Sequence, residues 1–153
     1  MPSLASARAS TSKEAGVSGL SKVAVVLRAA QLFAHASHNL VKGPTFFSDH
    51  EWLGETYAAY ESAYDSVIER ALGIGERVDI TAITEAACED AEQNSRLEVA
   101  EDIFRVLLAY EESLCSAIDE AMEGASNGTQ DLLQALCSAA EIRRYMLRQR
   151  LAD

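Results

Sequence analysis

Proline is nearly absent from this 153-residue chain, occurring only at Pro2 and Pro44. A single internal proline leaves long stretches free to run as uninterrupted helix. Basic residues are the next scarcity. Thirteen Lys and Arg stand against 24 Asp and Glu, a formal charge of −11. A body this acidic lacks the basic face that nucleic acid or an anionic membrane requires, and cations are its better-matched partners. Cysteine is also sparse: Cys88, Cys115 and Cys137 are 27 and 22 residues apart, with no Cys-x-x-Cys and no secretory signal ahead of them. That pattern excludes a disulfide framework as the expectation and predicts reduced, mostly buried thiols in a cytoplasmic protein. The longest apolar run, "VAVVLRAAQLFAHA", is broken by Arg28, Gln31 and His35. It falls short of the roughly 20 apolar residues that span a bilayer.

What is present is Ala, Leu and Glu in a chain that is 48% hydrophobic, the balance of a helical globular domain of ordinary size. Residues 1–17 are rich in Ser and Ala, with Arg8 and Lys13 against Glu14. They loosely resemble a transit peptide, and the reading adopted is a flexible N-terminal tail ahead of one domain spanning 18–153.

Periodicity predicts four long helices. The first carries Leu20, Val23, Leu27, Ala30, Ala34 and Val41 at three-and-four spacing and ends before Gly43-Pro44. The second should start with Ser48 and Glu51 as a capping box, staple Phe47 onto Trp52, and run to about Leu72, where Gly73 and Gly75 stop it. A short helix capped by Thr81 is expected in the connection that follows. The third long helix is expected from Asn94 to Met122 along Ile103, Leu107, Tyr110, Leu114 and Ala121. The fourth is expected from Thr129 along Leu133, Leu136, Ala140 and Leu147. Four long helices with one long crossover describe an all-α, ferritin-like four-helix bundle with a short extra helix in the crossover.

The chain has three histidines, His35, His38 and His50, the last two on either side of the Gly-Pro turn. The second helix adds Glu61, Asp65 and Glu69 at four-residue steps. A solvated face is the ordinary fate of such a run. His50 and Asp65 are fifteen residues apart, roughly 22 Å along a helix, so one copy cannot present both to one ion. Two antiparallel copies crossing near Ala58 and Ala59 can, and the turn would fold His38 back beside His50. The alternative site inside one bundle needs Glu-x-x-His pairs. None exists, since Leu32, His35 and Phe47 precede the three histidines by three positions.

The segment "HASHNLVKGPTFFSDHEWLGETYAAYESAYDSVIERALGIG" resembles the signature of the Dps family, the twelve-subunit mini-ferritins: His, twelve residues on His, four on Asp, eleven on Asp, four on Glu. His38, His50, Asp65 and Glu69 fit without a gap, and the resemblance extends over about residues 20–151. Two positions depart. The family's first Asp is Gly54 here, with Glu55 adjacent as a substitute ligand, and the Trp often found after the first His is Asn39. Gly54 therefore reads as a lost carboxylate that Gly54→Asp would restore.

The resemblance implies a homo-dodecamer that oxidises Fe(II) with hydrogen peroxide or dioxygen between subunits and stores ferric iron, limiting oxidative damage. Imidazole with carboxylate suits iron, and Zn or Mn would compete for the same ligands. His35 is a lone helical histidine that either packs at an interface or supports His38 from behind the metal. Glu123 and Asp131 resemble the acidic pore through which ions enter such shells. The competing readings are a DNA-compacting protein acting through Arg8, Lys13 and Lys22, and a purely structural shell. No residue is assigned to DNA, because twelve copies at −11 make a shell of −132.

Overall fold

The computed structural model describes residues 18–94 and 96–152 and contains five helices: α1 (Gly19–Leu40), α2 (Phe46–Gly73), α3 (Ile80–Glu92), α4 (Ala100–Met122) and α5 (Asn127–Leu151). The expected tail at 1–17, with Arg8 and Lys13, lies outside the described residues. α1 packs on α2, α3 and α4, while α4 packs on α5, which also touches α2. The four long helices thus close a bundle in the order α1, α2, α5, α4, and α3 lies against the outside of α1 as the crossover element. Among the described residues the only extended pairing is one bridge between Lys42 and Val99.

The apolar seams fall where periodicity puts them. Leu20, Val23, Leu27, Ala30 and Ala34 of α1 are buried with Ile103, Leu107, Tyr110 and Leu114 of α4 and Leu133, Ala140 and Leu147 of α5. The helix starts differ from expectation. α2 begins at Phe46, because the Thr45 hydroxyl is taken by Asp49 at 2.6 Å and Ser48 donates back to the Thr45 carbonyl. The Ser48–Glu51 capping box therefore does not form. Nor does the staple: Phe47 is 86% exposed, and Trp52 meets Phe104 edge-on at 5.5 Å. Asp79, not Thr81, caps α3 by accepting from the Ala82 amide. α4 starts at Ala100, six residues later than expected, because residues before it are drawn out to accept the Lys42 amide at Glu98. Ser126 caps α5 and so starts it at Asn127.

Two findings were not anticipated in the packing. Cys88 is exposed and Cys115 and Cys137 are half-buried, so the thiols are free as expected but not mostly buried. In the bundle interior, fully buried Glu111 receives Arg143 Nε at 2.5 Å and Nη2 at 3.1 Å, together with the Tyr60 hydroxyl. This joins α2, α4 and α5. Burial, then the Glu111 charge, holds the Tyr60 hydroxyl pKa well above its ordinary value. An inward carboxylate that could have faced a metal inside the bundle is instead paired with a guanidinium, as a buried charge requires.

Candidate metal centre

The turn joining α1 to α2 creates the histidine pair. Gly43 has φ +124°, a backbone state that a side chain resists, and Pro44 follows it. The Phe46 amide donates to the Gly43 carbonyl at 3.1 Å, and the Lys42 amide to Glu98 at 3.0 Å, anchoring the turn to the segment before α4. With the turn held, His38 and His50 stack at 3.7 Å between ring centroids and 22° between planes. His38 Nδ1 lies 2.8 Å from the His50 carbonyl, and His50 Nδ1 lies 2.7 Å from the His38 carbonyl. A carbonyl only accepts, so each Nδ1 carries the proton. In the neutral ring that leaves Nε2 as the lone pair, the tautomer a metal-binding histidine needs.

Gly54 has a role in this arrangement that its spacing did not disclose. A Cβ built there would stand 3.2 Å from His38 Cε1 and 3.3 Å from Nδ1. Hydrogen in place of a side chain lets the His38 ring lie against α2. An aspartate at this position would require the His38 ring to give by a few tenths of an ångström. Glu55 is exposed, one helical step round from the face where His38 sits.

Aromatic rings extend the pair in both directions. Phe46 stacks on His50 at 5.0 Å, and Tyr57 meets His38 edge-on at 5.5 Å. The exposed His35 stacks on Tyr57 at 4.2 Å, so it reaches His38 through a tyrosine. The sequence placed Tyr57 around the carboxylates of the second helix and not beside the histidines, though its position seven residues after His50, two turns on, puts it on their face. Asn39 donates to the His35 carbonyl at 3.0 Å. A second unforeseen element braces the pair. Asp49 is buried and accepts from Arg150 Nε at 3.3 Å and Nη2 at 3.2 Å, tying the start of α2 to the end of α5. The hydrogen bond to Asp49 holds the Arg150 pKa above its ordinary value.

Asp65, Glu69 and Glu61 are exposed on the far half of the same unbroken α2, and Ala58 and Ala59 are exposed at its middle. None of these carboxylates enters an ion pair among the described residues. The single chain does not bring them to the histidines, and no group of three or more His, Cys, Asp or Glu among the described residues is arranged to hold a metal. Glu123 caps the end of α4 and Asp131 lies in the first turns of α5, both exposed. No described helix is long and apolar enough to cross a membrane.

Comparison with known proteins follows the same line. The family description "Ferritin-like domain" matches residues 20–153. The chain is 32% identical over 126 residues to DNA protection during starvation protein 2 of Bacillus anthracis, covering 74% of this chain and 81% of that protein.

Proposed function

This chain belongs to the Dps family of ferritin-like proteins, and on that premise we propose that it is a cytoplasmic ferroxidase which assembles as a homo-dodecamer and stores iron. Fe(II) is its substrate, hydrogen peroxide or dioxygen the oxidant, and ferric mineral inside the shell the product. His38 and His50 of one subunit, with Glu55 of that same subunit after rearrangement, join Asp65 and Glu69 of another. The carboxylates favour Fe(III) over Fe(II) by their charge, which drives the oxidation forward. The observation that carries the reading is the reciprocal histidine lock, which fixes both rings in the ligating tautomer while the carboxylates wait about 22 Å away on the same helix. Glu123 and Asp131 are the proposed acidic lining of the ion path, and His35 acts on His38 through Tyr57.

Lys22, the described member of the basic set once considered for DNA, is engaged by Glu120 at 3.1 Å. DNA contact is therefore given no residue, although the relative's name describes protection of DNA.

The test is complementation. His50→Ala and Asp65→Ala should each slow ferric absorbance growth at least tenfold, while the assembly stays near 198 kDa, twelve times 16.5 kDa. In a mixed dimer one site collects both lesions and the other none, so co-assembled shells should regain activity. Confirmed co-assembly with no recovery above either parent refutes the intersubunit site.

A further inference from the structure

The two half-buried cysteines are not independent. Cys115 on α4 and Cys137 on α5 are each eleven residues from Ser126, the cap at the head of the α4–α5 hairpin. In antiparallel packed helices, equal distance from the turn places residues level with one another. Further out, Glu111 and Arg143, fifteen and seventeen residues from Ser126, meet across the same two helices. Cys115 is near enough to act on the Cys137 thiol by charge and by hydrogen bonding. Arg144 Nη1 lies 3.8 Å from Cys115 Sγ, and Cys137 Sγ lies 4.0 Å from Glu141 Oε1. Asp119 also borders Cys137.

Two thiols with two carboxylates suggest a soft metal site first, but these groups do not converge as ligands, and the Arg144 cation already stands beside the Cys115 sulfur. What the contact does fit is sulfur–sulfur bond formation. We propose that Cys115 and Cys137 form a redox dithiol whose oxidant is a hydroperoxide, hydrogen peroxide being the smallest, and whose product is an intrachain disulfide tying α4 to α5.

The unlike surroundings assign the order of events. Cys115 carries the neighbouring cation and is the sulfur that attacks. Burial, then the adjacent Cys115, then Glu141 and Asp119 push the Cys137 thiol up to about 11, so it waits as the resolving group. Cys115 attacks one peroxide oxygen: an S–O bond forms, the O–O bond breaks, and the departing hydroxide takes up the thiol proton as water. The Cys137 sulfur then attacks the sulfenic sulfur. An S–S bond forms, the S–O bond breaks, and a second water leaves with the remaining proton. Two thiols and one peroxide give one disulfide and two waters. No iron takes part, so the chemistry is separate from iron oxidation.

The experiment uses reduced full-length protein with a chelator, treated with hydrogen peroxide, alkylated and digested with trypsin. Both cysteines lie on the one peptide from Val106 to Arg143, which has no internal Lys or Arg. The expected result is a peptide lighter by two hydrogens that resists alkylation until a reducing agent is added, while the subunit still migrates as a single chain on a non-reducing gel. In Cys137→Ser, Cys115 should be trapped as sulfenic acid by dimedone. In Cys115→Ser, Cys137 should react at least tenfold more slowly. Overturning results are a fully alkylated peptide of unchanged mass, separate oxidation of each sulfur to sulfinic acid, or a bond to Cys88 or to another subunit. The wild-type peptide decides the matter even if a serine variant misfolds.

Discussion

Gly54→Ala sets two effects of known size against each other. Within an exposed stretch of helix the change should stabilise by about 1 kcal/mol, since glycine is the poorest helix former after proline. Here the new Cβ would meet His38 at 3.2 and 3.3 Å, tighter than ordinary contact, so the ring must retreat by a few tenths of an ångström. That ring is held by the hydrogen bond of its Nδ1 to the His50 carbonyl at 2.8 Å, worth about 1 kcal/mol net. Straining it offsets the helix gain and leaves a stability change within about 1 kcal/mol of zero. The iron site suffers more than the fold, because a misplacement of 1 Å costs about a hundredfold in well-oriented chemistry and a smaller shift about tenfold. Urea unfolding should show little change while stopped-flow ferric absorbance slows about tenfold. Gly73→Ala is the control, as nothing lies within 4 Å of its added Cβ, and its iron oxidation should match the parent. A Gly54→Ala protein that gains the full 1 kcal/mol and oxidises iron at the parent rate refutes the reasoning, and Gly54→Asp would then be expected to improve the site.

Glu111→Ala should destabilise by about 3–5 kcal/mol, since it strands the Arg143 guanidinium and the Tyr60 hydroxyl in the interior. Glu111→Leu combined with Arg143→Met should cost much less, and equal losses in urea midpoints would show that the pair itself, not the stranded charge, matters. Stability should also fall at alkaline pH. Burial foremost, with Glu111 beside Tyr60 and Asp90 beside Tyr110, raises both hydroxyls above the ordinary value. The folded chain therefore holds these protons more tightly than the unfolded one. The stabilisation is complete below about pH 10, the ordinary tyrosine pKa, and is lost as pH rises beyond it. Urea midpoints measured on both sides of that value test this, and Tyr60→Phe with Tyr110→Phe should flatten the loss.

The sequence by itself determined the helical class, the four seams and the crossover helix, and supplied the residue types of the proposed ligands, because these depend on local periodicity and residue type. Leu27, Leu107 and Leu133 are buried where the three-and-four spacing places them. Even the buried ion pair was legible in principle, since Glu111 follows Leu107 by four and Arg143 follows Ala140 by three, charged residues set into apolar stripes. The helix starts were not legible, because competing hydroxyls and carboxylates decide them: Thr45 and Asp49 bind each other instead of leaving Ser48 to cap. Only the tertiary structure showed that His38 and His50 lock each other through backbone carbonyls, that Gly54 lies against the His38 ring, and that Cys115 neighbours Cys137. Each of these is a contact between segments far apart in the chain or folded back on one another. Spacing along one helix records which face a residue shares, while the distance across to the next helix is set by how closely the two backbones pack.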